Sequence, residues 1–341
     1  MKRPAAVAGA LVLLAGCASS ATAGHPAAPR PASDPASSTT PRPQPPSTSS
    51  VAPPATPPPS KSRKPARAPT STRTAHRNAG RLPDGSRRIL GRVRVVAYYG
   101  VPNNPKLGVL GSRPPEQIAA AIARRAAAFR GYGLPVQPAM ELITSVAQAG
   151  PGPNGTYSKP IPFATVARYL QVAHANKMLL ILDLQPGRAS FLAQAQALRP
   201  ILLDPSVGLA LDPEWKVGPG QKPGRGRIGA SSAAGINAVG SWLSALVAAN
   251  RLPDKLLIVH QFTRSMLPDR YRITQHRGVE MVLHADGFGT MTAKTRVFDR
   301  LAFPHPPFGV GFKLFLTHDR GMMSPAQVMA LRPRPAVITY Q

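Results

Sequence analysis

Eight short apolar runs, separated by segments of helical length, set the rhythm of the chain beyond Arg92. They are VRVVAYYG (93–100), VQPAMELI (136–143), MLLILDLQ (178–185), VGLALDPE (207–214), KLLIVHQF (255–262), VEMVLHAD (279–286), GVGFKLFL (309–316) and PAVITYQ (335–341). Most are near-continuously apolar, as in strands of a parallel sheet covered on both faces. Between them lie amphipathic or alanine-rich stretches, the clearest at 115–133, 163–176, 190–202 and 232–250. Shorter ones fall at 290–301 and 324–332, where Ser324 caps and Pro325 takes the first helical position. Strands and helices alternating at this spacing predict βαβ units. Eight strands predict an α/β fold, a closed (β/α)8 TIM-like barrel that ends on its eighth strand without an eighth helix. The rival is an open doubly wound sheet, which calls for a glycine-rich loop directly behind the first strand. YYGVPNNPKLGVLG (98–111) has its glycines at the wrong spacing and opens no helix there.

In such a barrel the residues at the carboxyl ends of the strands have catalytic reach. Five of the fourteen acidic residues fall there: Glu141, Asp183, Asp212, Glu214 and Asp286. Gln185, His260, Gln261, His284, Lys313 and Tyr340 occupy the same ends, and the first strand supplies Tyr98 and Tyr99. Side chains two apart on a strand share a face. Asp212 therefore pairs with Glu214, Asp183 with Gln185 and His284 with Asp286, and all three pairs are expected to face the barrel axis. On the fourth run the residues in phase with the carboxylates are the small Gly208 and Ala210, whereas Leu209 and Leu211 suit the layer beneath the helices.

The first ninety residues follow different rules. Lys2 and Arg3 precede the apolar stretch Ala5 to Leu14, which is too short to span a bilayer and reads as a secretory signal, residues 1–17. Its last four residues, LAGC (14–17), resemble the bacterial lipoprotein signal, the lipobox, and that resemblance implies lipidation of Cys17. Cys17 is the one cysteine of the chain, so it has no disulfide partner. Residues 18–88 are rich in Pro, Ser, Thr and Ala with scattered Arg and Lys. Too few large apolar side chains offset their ordering entropy, which predicts a disordered, basic stalk. Residues 89–341 are left for the barrel. The formal net charge is +28, which in a cytoplasmic chain would point to nucleic acid. A lipid-anchored chain outside the cytoplasm makes anionic lipids or wall polymers the expected partners instead.

Two carboxylates close together in a low-dielectric pocket cannot both ionise freely, and one is held protonated. The D-x-E of ALDPEW (210–215) resembles the motif of retaining chitinase-like and phage-type lysozyme-like TIM-barrel glycoside hydrolases. The resemblance implies Glu214 as proton donor and Asp212 as its support. The chain departs from the chitinase pattern by lacking its longer D-x-x-D-x-D-x-E run, and from the lysozyme pattern by having no Asp on the first strand. The stretches YYG, QPGR, ALDPEW, VHQF, HADGFG and RPRPAVITYQ are similar to a group of actinobacterial secreted proteins and lipoproteins, which implies a shared barrel but supplies no activity.

The expectation is a monomeric, cofactor-free barrel acting on cell-wall carbohydrate, with Glu214 as acid/base and Asp286, Asp183 or Glu141 as nucleophile or water activator. Tyr98, Tyr99, Trp215, Phe262 and Phe288 are candidate sugar-stacking rings. The competing readings stay open. Asp212 and Glu214 could cap a loop or pair with Lys216, and Glu141 could be a buried partner of Lys313. The cleft could bind a glycan or lipid headgroup without cleaving it. Asp212, Glu214, His260, His284 and Asp286 could hold a metal. The loop KVGPGQKPGRGRIG (216–229) carries Lys216, Lys222, Arg225 and Arg227 beside the site and is not a phosphate-binding P-loop.

Overall fold

The structure, a computed structural model, describes residues 80–224, 226, 228–302 and 308–341. Its strands are β1 (Arg94–Gly100), β2 (Val136–Ala147), β3 (Ser158–Pro160), β4 (Leu179–Leu184), β5 (Val207–Leu211), β6 (Lys255–Gln261), β7 (Val279–Ala285), β8 (Gly309–Leu314) and β9 (Val337–Tyr340). All but β3 are parallel and run in the order β1-β9-β8-β7-β6-β5-β4-β2, and β2 pairs back onto β1 to close the barrel. Each of the eight predicted runs supplies one barrel strand. β3 is a short antiparallel addition at the end of β2, which continues past the predicted run to Ala147.

The helices are α1 (Pro115–Ala127), α2 (Phe163–Ala175), α3 (Phe191–Ala197), α4 (Arg199–Leu202), α5 (Ala233–Asn250), α6 (Met291–Ala302) and α7 (Pro325–Ala330). The single helix expected over 190–202 is divided at Leu198, because Pro200 lacks an N–H and is tolerated only in the first turn of a new helix. Ser324 caps α7 with a full capping box through Gln327. Between β6 and β7 the described chain makes two 3-10 turns, Arg264–Met266 and Arg270–Arg272, where the other crossovers use α-helices.

Strand alternation divides the core in two. Leu180, Leu182, Leu209, Leu211, Leu257 and Val259 face the helical layer. Val95, Ala97, Ala139, Leu179, Ile181, Ala210, Leu256, Ile258, Val282 and Val337 fill the barrel's lower interior. Burying each large aliphatic contributes about 1.5–3 kcal/mol. Gly208 points inward with Ala210, as expected: a Cβ there would meet Leu256 and Ile181. Leu82, Ile89 and Val93 close the N-terminal end of this interior. Leu82 is buried and Arg87 donates to the carbonyls of Arg251 and Leu252. The last residues assigned to the stalk, 80–88, therefore form part of the barrel floor. Cys17, the signal and residues 18–79 lie outside the described residues. Among the described residues no helix is long and apolar enough to cross a membrane.

Candidate active site

Above the apolar interior, the inward positions change character within one or two residues. β1 contributes Tyr99, β2 Glu141, β4 Asp183, β6 His260, β7 His284, β8 Lys313 and β9 Thr339; Asp212 and Asp286 follow the last residues of β5 and β7. All nine are buried, between 0 and 8 % exposed. Buried charges are tolerated only when paired and hydrogen-bonded, and most of these are linked by short contacts.

Asp286 is the hub. His260 Nδ1 lies 2.8 Å from its Oδ2, His284 Nδ1 lies 2.7 Å from its Oδ1, and Lys313 Nζ donates to Oδ2 at 3.2 Å. These positive neighbours outweigh burial and hold the Asp286 carboxyl well below the usual carboxylate range. His260 is gripped from its other side as well, with Nε2 2.8 Å from Glu141 Oε1. Burial alone would lower its pKa, but Asp286 and Glu141 raise it well above the ordinary imidazole value, which favours the imidazolium. The second oxygen of Glu141 accepts from Thr339 Oγ1 at 2.8 Å, and Thr339 Oγ1 stands 3.1 Å from His284 Nε2. Glu141, His260, Asp286, His284 and Thr339 thus form a closed ring of hydrogen bonds. Lys313 pairs with Asp286 rather than with Glu141, and its ammonium sits 3.7 Å above the Tyr99 ring.

On the other side of the barrel the carboxyls are crowded and poorly neutralised. Tyr99 donates to Asp183 Oδ2 at 2.7 Å, and Gln185 Nε2 donates to the Tyr99 hydroxyl at 3.3 Å. The other oxygen, Asp183 Oδ1, is buried without a hydrogen-bond partner among the described residues and lies 3.9 Å from His260 Nε2. Burial pushes Asp183 up to about 8, against the pull of His260 and with the help of Asp212 and Glu141. Asp212 is also raised, by burial first. Glu214, only partly buried, is pushed up to about 8 by burial and then by the Asp212 carboxylate.

Glu214 reaches the site by a different route from the one strand alternation predicts. β5 ends at Leu211, Pro213 starts a 3-10 turn over Pro213–Trp215, and Asp212 Oδ1 accepts from the Glu214 backbone N–H at 3.2 Å. Asp212 is therefore both a turn cap and a charge beside Glu214. Lys216 does not pair with either carboxylate: its Nζ is directed at the carbonyls of Arg188 and Val217. Arg225 and Arg227 of the same loop lie outside the described residues.

Three predicted ligand-binding residues belong elsewhere. Tyr98 and Tyr340 are out of phase with the inward positions and lie in the helical layer, edge to face with ring centroids 6.2 Å apart. Phe129 and the Arg125 guanidinium pack on Tyr340. Gln261 alternates with His260 and is buried, its Oε1 without a hydrogen-bond partner among the described residues. Trp215 and Phe262 are partly buried, and Phe288 is exposed beside Phe315. The residue missing from the predicted set is Thr339. The alternation Val337, Thr339 against Ile338, Tyr340 marks it as inward, but a threonine carries no charge to attract notice.

His260, His284 and Asp286 bring possible metal-ligand atoms within 4.8 Å of one another. Those atoms are the ones joined by the 2.7 and 2.8 Å hydrogen bonds, and the Lys313 ammonium stands on the same carboxylate. A cation roughly 2.0–2.2 Å from each would take the place of the protons between them.

Fold and site together define a closed (β/α)8 barrel with an ionisable cluster at the carboxyl ends of its strands. No protein-family model and no curated protein matches the chain. Among solved structures it is similar to one described as D-psicose 3-epimerase in the presence of D-fructose, at 13% identity and a TM-score of 0.38, over 72% of this chain and 84% of that chain. The barrel assignment rests on the strand order itself.

Proposed function

We propose that the barrel acts on carbohydrate of the cell envelope and cleaves a glycosidic bond, with Glu214 as the general acid. The observation that carries this reading is the pairing of a partly exposed carboxyl raised to about 8 with a second, buried carboxyl on the adjoining turn. At neutral pH Glu214 keeps its proton and can pass it to the leaving glycosidic oxygen. Asp212 carries the negative charge of the pair and stabilises the positive character that develops on the sugar ring. Glu141 and Asp286, weighed above as nucleophiles, are better suited to organising charge, because their oxygens are already filled by His260, His284, Thr339 and Lys313. The LAGC stretch supports a lipid anchor at Cys17, and the basic 18–79 stretch supports reach from an anionic surface. Replacing Glu214 with Gln removes the proton and keeps the shape. Release of reducing ends from purified wall glycan is expected to fall at least about 100-fold, and an unchanged rate would refute the assignment. The internal commitment of Glu141, Asp183 and Asp286 favours one second reading, a glycan-binding barrel without turnover. It predicts glycan binding that survives in Glu214→Gln with no product from either protein.

A further inference from the structure

We propose that His260, His284 and Asp286 bind one divalent transition-metal ion of the zinc class, with Glu141 and Thr339 holding the two imidazoles from behind. The hydrogen bonds behind the rings fix where the imidazole hydrogens point. Glu141 accepts on both oxygens: Oε2 takes the Thr339 hydroxyl hydrogen at 2.8 Å, and Oε1 lies 2.8 Å from His260 Nε2. A threonine hydroxyl owns a single hydrogen. Once that hydrogen is given to Glu141 the oxygen can only accept, and the group 3.1 Å away is His284 Nε2. Both rings therefore carry a hydrogen on Nε2 and turn Nδ1 towards Asp286. This is the orientation of a metal-ligating histidine, whose outer N–H is held by a carboxylate or by a group that leads to one. A single carboxylate, Glu141, orients both rings, directly for His260 and through Thr339 for His284.

At the inner end, His260 Nδ1 and His284 Nδ1 stand 2.8 and 2.7 Å from the two oxygens of Asp286. Contacts that short between ring nitrogens and carboxylate oxygens need positive charge between them, either a second hydrogen on each ring or a cation. One divalent ion carries the same charge as the two hydrogens it displaces. The three groups bring candidate ligand atoms within 4.8 Å of one another. Bonds of about 2.0–2.2 Å to a tetrahedral ion place its ligands roughly 3.4 Å apart, so loading would lengthen the two short contacts by about 0.6 Å. Two imidazole nitrogens and one carboxylate suit a zinc-like ion rather than magnesium or calcium, which favour all-oxygen sites. Three protein ligands leave a fourth position open. Both histidines are fully buried and Asp286 is 8 % exposed, so the ion is reached from the mouth, along Asp286. Lys313, which donates to Asp286 Oδ2 at 3.2 Å and lies over the Tyr99 ring, places a positive charge beside the ion and weakens its binding. Zinc binding without glycan cleavage would count against the Glu214 assignment alone, and cleavage without zinc binding against this site alone.

The test is zinc uptake by the full chain, stripped with a chelator and then dialysed against buffered zinc. One zinc per chain is expected. The Nδ1 15N resonances of His260 and His284 are expected to move on loading, while those of the half-exposed His174, paired with Asp204, stay in place. His284→Gln removes a ligand and is expected to abolish uptake. Thr339→Val leaves the His284 N–H without its acceptor and should weaken binding about 10–100-fold, and Thr339→Ser should restore it. Lys313→Met removes the neighbouring charge and should tighten binding by at least about tenfold. A wild-type chain that takes up no zinc would overturn the site even if no variant folds. So would equal uptake by His284→Gln, or loading that leaves both Nδ1 resonances where they were.

Discussion

At the scale of single residues, the mouth of the barrel separates carboxyls by the company they keep. Asp286 has two histidines and a lysine within 3.2 Å, which favour its ionised form; burial and then the Asp212 carboxylate beside it raise Glu214 and favour its protonated form near neutral pH. On the proposed mechanism, rate should fall as pH rises through about 8, where Glu214 would lose the proton assigned to the leaving group. Asp212→Asn preserves the side-chain oxygen that caps the Pro213–Trp215 turn and removes the neighbouring negative charge. Since that charge raises the Glu214 pKa, the alkaline limb of the pH–rate profile is expected to shift to lower pH. A limb that stays in place would mean that burial alone sets the Glu214 pKa.

At the scale of elements, the narrow point is β8, whose inward positions are Gly309, Gly311 and Lys313. A Cβ on Gly311 would overlap the His284 imidazole, with no flexible end to yield, because His284 is fixed at both nitrogens. Gly208 on β5 is a gentler case: its Cβ would stand 3.1 Å from the Leu256 carbonyl oxygen and 3.2 Å from Leu256 Cβ. Gly311→Ala should lose about 3 kcal/mol of stability through overpacking. Gly208→Ala should lose about 1 kcal/mol or less, because reduced freedom of the unfolded chain offsets part of the crowding. Urea denaturation of the two variants checks the order, and equal losses would contradict it. The same strands show what the sequence reveals and what it hides. Continuous apolar runs place all eight barrel strands, because parallel strands are buried on both faces and their composition reports it. Alternation also correctly turns Gly208 and Ala210 inward. It fails beyond Leu211, where Pro213 ends the strand and hands Glu214 to a turn, and the mere presence of a polar group at a strand end misplaces Tyr98 and Tyr340. Thr339 and β3 stayed hidden because a neutral hydroxyl and a three-residue strand carry almost no signal in composition. The Glu141–His260 link spans 119 positions and depends on barrel closure, which no local pattern encodes.

For the molecule as a whole, the ionisable mouth sets a stability that depends on pH in an unusual direction. Asp183 has a folded pKa near 8 against about 3.9 in an unfolded chain. Between those values the native state holds a proton that the unfolded state has released. Stability is then highest below about pH 4 for this group and declines as pH rises towards 8. Glu214 and Asp212, raised in the same way, act in the same direction. His260 does not oppose them in this window: its raised pKa gives stability that is present below the unfolded value and fades only as pH climbs through the folded one. His284 and Lys255 do oppose: His284 is lowered below the ordinary imidazole value, and Lys255 is brought down to about 7, so each adds stability with rising pH over part of the range. Comparing two proteins that share those groups isolates the carboxyl. Asp183→Asn keeps an oxygen to accept from the Tyr99 hydroxyl and cannot ionise. Measured by urea midpoint at pH 5, 6, 7 and 8, the variant is expected to gain on the wild type at each step. A difference that is constant across the series would show that Asp183 is ionised in the folded barrel, and that the partnerless Oδ1 facing His260 is a charge rather than an acid.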